Sequence, residues 1–181
     1  MGKVTLCMDW LDVCSGCEMS LLDIDELIVQ LAEHVQILSS PITDLKHPPK
    51  EGCDVGILTG AVSNDHQEEV AKEMRERCKI LIASGDCAVT GGICTMRNFF
   101  DVEEVLRRAY VEAESVAPGQ QVPRSPEIAK LFPTVKALDQ VVKVDLYIPG
   151  CPPPAKALWY AITELLAGRT PVLTDDLLTY D

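Results

Sequence analysis

Four of the eight cysteines follow apolar stretches that have the pattern of buried strands. Cys14 and Cys17 follow the first stretch, Cys87 follows a later one and Cys151 follows the last. Thiolates bind zinc and iron-sulfur clusters, and they also carry out redox chemistry. The carboxyl ends of parallel strands meet at one edge of a sheet, where ligands bind. The sequence therefore predicts a cofactor site built from these four thiols.

The spacing of the cysteines narrows the kind of cofactor. The segment Cys14-Ser15-Gly16-Cys17 brings two thiolates to one centre, and Gly16 is expected to supply an unusual backbone angle. This pair alone is equally compatible with a thioredoxin-like dithiol, half of a zinc site or a loop without chemistry. Small zinc modules usually supply two close pairs, whereas here one pair joins two remote single cysteines. The whole pattern favours a [4Fe-4S] cluster over zinc.

The remaining four cysteines are placed differently. Cys53 and Cys78 begin predicted strands, at the opposite edge of the sheet, and Cys7 lies within the first strand. We interpret these three as small buried hydrophobic residues. Cys94 follows Cys87 closely and is expected at the same edge, as an alternative ligand or as a neighbour of the site. We prefer Cys87 as the ligand because it comes directly after a strand and has small neighbours.

Strand and helix patterns alternate along the chain, and these elements must position the cysteines. Continuous or short apolar runs predict five strands, at residues 4–10, 35–38, 53–59, 79–83 and 144–148. Helical patterns are predicted at residues 20–31, with Ser20 as the N-cap, and at 65–77, from about 102, and at 155–166, whereas residues 60–64 are predicted to be a turn. Such alternation indicates an α/β fold: a doubly wound, mostly parallel, flavodoxin-like sheet in the order 2-1-3-4-5.

Length and charge restrict the remaining possibilities. With 181 residues, 47% of them hydrophobic, the chain is expected to be a single domain over residues 1–181, with an exposed loop at 110–126 and a tail at 169–181. Sixteen basic and 28 acidic residues give a net charge of -12, which argues against nucleic acid and anionic membrane surfaces as partners. The sequence has no signal segment, no run of about 18 apolar residues and no glycine-rich phosphate loop. We expect a cytoplasmic protein whose partners are proteins.

Three motifs together resemble the small, electron-transferring subunit of nickel-iron hydrogenases over roughly residues 4 to 168. They are Cys14-Ser15-Gly16-Cys17-Glu18, then Gly85-Asp86-Cys87-Ala88 with Gly91-Gly92, and Pro149-Gly150-Cys151-Pro152-Pro153. The resemblance implies that Cys14, Cys17, Cys87 and Cys151 hold a proximal [4Fe-4S] cluster that faces a nickel-iron centre on a separate large subunit. It also makes Glu18 a candidate for proton transfer.

A related subunit of complex I carries two adjacent cysteines in the first motif, so the spacing of Cys14 and Cys17 favours hydrogenase. No cysteine follows Cys151, which predicts one cluster only. The short form is similar to the small subunit of cytoplasmic NAD-reducing hydrogenases, which work with a large subunit and with diaphorase subunits that bear flavin and further clusters. The alternatives are a complex-I-like iron-sulfur subunit of a quinone module and a stand-alone flavodoxin-like protein that binds flavin or zinc. The fold is also compatible with FMN, although no residue identifies it.

Overall fold

The computed structural model describes residues 2–178. Its strands are β1 (Val4–Trp10), β2 (Val35–Ser39), β3 (Cys53–Thr59), β4 (Val62–Asn64), β5 (Cys78–Ser84), β6 (Leu131–Lys136) and β7 (Leu146–Ile148). Five of them form a parallel sheet in the order β2-β1-β3-β5-β7, and β4 pairs with β6 in a separate antiparallel pair. The predicted sheet and its strand order are confirmed, because the fourth and fifth predicted strands are β5 and β7.

Helices connect these strands. They are α1 (Gly16–Leu22), α2 (Leu27–His34), α3 (Asp65–Arg77), α4 (Asp86–Thr90), α5 (Val102–Arg107) and α6 (Ala155–Leu166). In addition, 3-10 segments cover Gly92–Phe99, Leu138–Gln140 and Asp175–Leu177, and a π-helical turn covers Arg108–Glu112. No helix within residues 2–178 is long and apolar enough to cross a membrane.

Each face of the central sheet has its own hydrophobic core. On one face, Ile82 of β5 packs in a cluster with Leu31 of α2 and Leu158 of α6. On the other face, Leu58 of β3 packs in a cluster with Met74 of α3. Burying one such side chain stabilises the fold by about 1.5–3 kcal/mol. Because helices cover both faces of the sheet, its strands are continuously apolar, as expected for a parallel sheet.

The first helix differs from the prediction of one helix over residues 20–31. Helix α1 already begins at Gly16, and a break at residues 23–26, where Asp25 has a φ of 54°, separates it from α2. Ser20 is therefore inside α1 and not its N-cap. Its buried hydroxyl donates a hydrogen bond to the carbonyl of Pro153, 133 residues away. As a result Cys17 lies in the first turn of a helix, directly after the loop that carries Cys14.

The antiparallel pair was not predicted. Residues 60–64 were expected to form only a turn, but β4 occupies the last three of them and pairs with β6. Both strands give weak signals, because β4 has three residues and β6 contains Pro133, which removes a backbone donor. Strand β4 leads directly into α3, where the Asn64 side chain caps the helix by accepting a hydrogen bond from the Gln67 amide at 2.9 Å.

Two further boundaries concern the second half of the chain. Strand β7 begins at Leu146, later than the predicted start at residue 144. Residues 113–130 contain neither helix nor strand. The assignment of residues 1–181 to one domain, with an exposed loop at 110–126 and a tail at 169–181, stays a prediction, and residues 179–181 of that tail lie outside the described part of the chain.

Candidate metal centre

The four predicted ligands lie after three strands of the central sheet, at its carboxyl edge. Cys14 is in the loop after β1, and Cys17 follows in the first turn of α1. Cys87 is in the first turn of α4 after β5, and Cys151 follows β7. Cys17 and Cys87 are 8% and 7% exposed, whereas Cys14 and Cys151 are exposed. The group therefore has a buried side and a side that faces outward.

Backbone hydrogen bonds join the loops of Cys87 and Cys151. The Gly85 amide donates to the Ile148 carbonyl at 2.8 Å, and the Asp86 amide donates to the Gly150 carbonyl at 2.9 Å. In return the Gly150 amide donates to Oδ1 of Asp86 at 2.7 Å. Because Cys87 and Cys151 are the residues that directly follow Asp86 and Gly150, this exchange sets the separation of the two cysteines.

Helix α1 is attached to the same loops. Besides the hydrogen bond from Ser20 to Pro153, Gly16 lies beside the turn, where a Cβ would be 3.4 Å from Cys14 Sγ and 3.8 Å from Pro152 Cβ, both ordinary van der Waals contacts. The Cys151–Pro152 peptide bond is cis. The unusual backbone angle predicted for Gly16 belongs instead to Ser15, whose φ is 67°.

Two other glycines make space for thiols. A Cβ on Gly85 would lie 2.3 Å from Cys17 Sγ, and one on Gly92 would lie 3.0 Å from Cys87 Sγ. Gly85 also has a φ of 86°, a conformation that other residues rarely adopt. Since real Cβ atoms do not come so close to a sulfur, a side chain at Gly85 would displace Cys17. The end of β5 and the start of α1 are therefore in close contact at the Cys17 sulfur.

The thiols influence one another electrostatically. Burial, together with the negative charges of Glu18, Cys87, Cys14 and Cys151, raises the pKa of Cys17 to about 12. Burial also raises the pKa of Cys87, while hydrogen bonds from the Cys94 thiol and the Ile93 amide act in the opposite direction. Four thiolates this close repel each other, so a cationic centre between them would stabilise their charged forms.

Cys94 lies next to Cys87, as expected for a neighbour of the site. Its thiol donates to the Asp12 carbonyl at 3.2 Å, and burial raises its pKa to about 12. The structure therefore gives this thiol a backbone hydrogen-bond partner and places it beside Cys87. The preference for Cys87 over Cys94 as the ligand stays a prediction.

Glu18 has a partner that sequence reasoning missed. Its Oε1 accepts a hydrogen bond from the hydroxyl of Thr59, at the end of β3, while its Oε2 is buried and has no partner among the described residues. Thr59 is 2% exposed. A threonine at the end of an apolar strand gives no signal of such a contact, because strands favour threonine in any case.

The arrangement fits a [4Fe-4S] cluster in its donor chemistry. Within residues 2–178, no three His, Cys, Asp or Glu side chains lie close enough together to hold one metal ion. A cubane does not need such convergence, since each of its four thiolates binds a different iron. The four cysteines have no disulfide partner. The clearance that Gly85 and Gly92 provide beside the thiols suits a bulky inorganic group.

The three cysteines interpreted as buried hydrophobic residues are indeed in the core. Cys7, Cys53 and Cys78 are 0%, 4% and 4% exposed. Cys53 and Cys78 are the first residues of β3 and β5, at the amino edge of the sheet. They are therefore separate from the four predicted ligands.

Comparison with known proteins identifies the class to which this fold and site belong. The family described as "NADH ubiquinone oxidoreductase, 20 Kd subunit" matches residues 14–165, a range that contains all four predicted ligands. The chain belongs to this family.

Its similar relatives are components of hydrogenases. The delta subunit of the NAD-reducing hydrogenase HoxS of Cupriavidus necator is 39% identical over 182 residues, which cover 99% of this chain and 87% of that subunit. A component of the F420-non-reducing hydrogenase of Methanothermobacter thermautotrophicus is 37% identical over 168 residues, 92% of this chain. This chain spans 54% of that methanogen protein, about half of its length. The predicted resemblance to a hydrogenase small subunit is confirmed.

Solved structures agree with this grouping. A crystal structure of an NAD+-reducing [NiFe]-hydrogenase in the H2-reduced state contains a chain with a TM-score of 0.95 and 38% identity, and the match covers 99% of this chain and 100% of that one. A Ni-Fe-Se hydrogenase chain from Desulfomicrobium baculatum has a TM-score of 0.58 at 17% identity, covering 97% of this chain and 69% of that one. The second match shows the shared fold alone.

The raised pKa of Cys17 predicts a pH-dependent stability for the metal-free chain. Between the ordinary thiol pKa of 9.0 and the folded value of about 12, the unfolded state loses the Cys17 proton first. The folded state therefore keeps its full stability below pH 9.0 and loses it as the pH rises toward 12. We expect Cys17→Ala to reduce this decline by about 1.4 kcal/mol per pH unit, measured by urea unfolding across the window. If stability falls equally steeply with pH in the variant and the wild type, the decline does not come from Cys17.

Proposed function

We propose that this chain is the small subunit of a soluble, cytoplasmic NAD-reducing nickel-iron hydrogenase and relays electrons through one [4Fe-4S] cluster held by Cys14, Cys17, Cys87 and Cys151. The observation that carries the proposal is the meeting of these four thiols at one sheet edge, close enough for three of them to raise the pKa of the fourth. The likeness of the chain to the HoxS delta subunit supports the choice of reaction.

The residues of this chain would hold the cluster and control its surroundings. When bound, such a cluster takes up and releases single electrons at a potential set by charge, hydrogen bonding and exposure. The buried thiols of Cys17 and Cys87 would keep water away from one side of the cluster. The Ile93 amide acts to lower the pKa of Cys87, and amide donors beside a ligand sulfur stabilise its negative charge. Asp86 and Ser20 keep the three loops in a constant arrangement.

Apolar side chains at the same edge of the sheet indicate where a partner chain would bind. Met19 follows Cys17 in α1 and is 57% exposed, while Ile93, Met96 and Phe99 follow Cys87 and are 69%, 57% and 84% exposed. Exposed apolar groups of this kind mark protein contacts. We assign this surface, together with exposed Cys14 and Cys151, to a large subunit that carries the nickel-iron centre.

Electrons from hydrogen would then enter this chain at the outward side of the site and leave toward diaphorase subunits that reduce NAD. Glu18 is included in the proposal as a proton carrier. It lies beside Cys17, and its buried Oε2 has no hydrogen-bond partner among the described residues, so this atom is available to accept a proton.

Serine substitutions separate the predicted ligands from the core cysteines. Cys87→Ser should lower the iron bound per chain to a small fraction of the wild-type value and abolish hydrogen-dependent NAD reduction, because a neutral hydroxyl replaces a thiolate. Cys53→Ser is the matched control, since Cys53 and Cys87 are 4% and 7% exposed but lie at opposite edges. Iron content and the visible absorption of the purified protein measure the outcome. Equal iron loss in both variants would refute the ligand assignment.

Alanine substitutions of two glycines test whether clearance at the Cys17 sulfur is required. Gly85 and Gly119 share a φ of +86°, so an added Cβ strains both backbones alike. Only at Gly85 does it meet another atom, Cys17 Sγ at 2.3 Å, whereas nothing lies within 4 Å at Gly119. Gly85→Ala should therefore lose most of its iron and Gly119→Ala should retain it. Retention of iron in both variants would show that Cys17 need not stay in its present position.

The nature of the tightly bound partner distinguishes the hydrogenase from the complex-I-like alternative and from a stand-alone flavin or zinc protein. A tagged copy of the chain, purified anaerobically from its native host, should bring down a large chain that contains nickel in a constant ratio. Metal analysis and peptide sequencing of the complex measure this. A partner without nickel, or a colourless chain that contains only zinc, would overturn the proposed function.

A further inference from the structure

Three thiols that the proposed function does not use lie together in the core near the amino edge of the sheet. Cys7 is in β1, and Cys53 and Cys78 are the first residues of β3 and β5. The Cys53 and Cys78 sulfurs are 2.7 Å apart, and Cys78 Sγ is 3.3 Å from the Met74 sulfur. Alanine or valine would fill a purely apolar position, so the contact between the Cys53 and Cys78 thiols calls for a chemical explanation.

The strand register selects one pair from the three. Cys53 and Cys78 are direct partners on neighbouring parallel strands. Neighbouring strands lie about 4.8 Å apart, a separation inside the range of about 4.4 to 6.8 Å between Cα atoms that a disulfide spans. Cys7 is opposite Gly56, three residues along β3 from Cys53, so their backbones are offset by roughly 10 Å along the strand. Cys53 and Cys78 are therefore the pair whose backbone geometry suits a bond.

Gly56 gives the Cys78 sulfur its position. A Cβ on Gly56 would lie 2.6 Å from Cys78 Sγ and 3.0 Å from Cys78 Cβ. Any other residue at position 56 would push the thiol out of the space that it occupies beside Cys53. The glycine therefore keeps the two sulfurs together.

A polar cavity reaches Cys53. Its volume is about 250 Å³, and its lining includes Cys53, Asp54, Arg77 and Lys79. This is room for a molecule of the size of hydrogen peroxide. The Lys79 ammonium in this lining lies 2.7 Å from the Asp54 carboxylate. Positive charge in the cavity favours an anionic leaving group such as hydroxide.

We propose that Cys53 and Cys78 are a redox modification site that hydrogen peroxide converts into a disulfide. The Cys53 thiol gives up its proton to water, its sulfur attacks one oxygen of the peroxide, the O–O bond breaks, and the departing hydroxide takes up a proton to become water. Cys53 is then a sulfenic acid. The Cys78 sulfur displaces its oxygen as water, and the S–S bond forms. Two thiols and one peroxide thus give one disulfide and two waters, and a dithiol reverses the change.

The test uses the full-length chain treated with hydrogen peroxide, alkylated under denaturing conditions and digested with trypsin. We expect a species in which the peptide of residues 51–72, which contains Cys53, is joined to the peptide of residues 78–79, which contains Cys78. Dithiothreitol should remove it. The proposal fails if Cys53 and Cys78 stay fully alkylated at a peroxide dose that oxidises the exposed Cys14 and Cys151.

Variants test which two thiols form the bond. Cys7→Ser leaves the pair of Cys53 and Cys78 intact and should still give the linked peptides, and loss of these peptides would contradict the choice of pair. Cys78→Ala should give no linked peptide, whereas Cys94→Ser, outside the cluster, should give it at the wild-type rate. A higher urea midpoint for the oxidised wild type, absent in oxidised Cys78→Ala, would confirm that the bond joins β3 to β5 in the folded chain. Equal midpoints before and after oxidation of the wild type would contradict it.

Discussion

The site depends on the reciprocal hydrogen bonds between Asp86 and Gly150. The two backbones share one bond of 2.9 Å, and the Asp86 carboxylate accepts the Gly150 amide at 2.7 Å. A bond to a charged acceptor contributes about 1.5–3 kcal/mol, which is enough to keep the β5 and β7 loops in one arrangement. Cys87 and Cys151 are next in the chain, so their positions follow from this contact. The hydrogen bond from Ser20 to Pro153 then adds α1, and with it Cys17.

Much of this architecture could be predicted because it rests on signals that are local in sequence. Buried parallel strands are continuously apolar, and β1, β3 and β5 were predicted within one residue at each end. The rule that ligands meet at the carboxyl edge then selected Cys14, Cys17, Cys87 and Cys151 without any knowledge of contacts. Cys53 and Cys78 were separated from them by the same rule, since they begin strands.

What could not be predicted depends on contacts between distant residues. Ser20 has the sequence pattern of an N-cap, but its partner is Pro153, so the true start of α1 at Gly16 was missed. Asp86 and Thr59 were passed over for the same reason, because their partners, Gly150 and Glu18, are distant in sequence. Gly16 was given a backbone role that belongs to its neighbour Ser15, because glycine is the residue that usually adopts a positive φ.

The two groups of thiols show that surroundings, more than residue type, decide what cysteine does. At the carboxyl edge, four thiols come from three separate connections, repel each other as thiolates and include exposed Cys14 and Cys151, so the cationic centre that we propose there would stabilise their charged forms. Near the amino edge, Cys7, Cys53 and Cys78 lie in regular strands and in the apolar core, where several thiolates would be too costly. There the contact between Cys53 and Cys78 favours the chemistry of a dithiol that we propose for this pair.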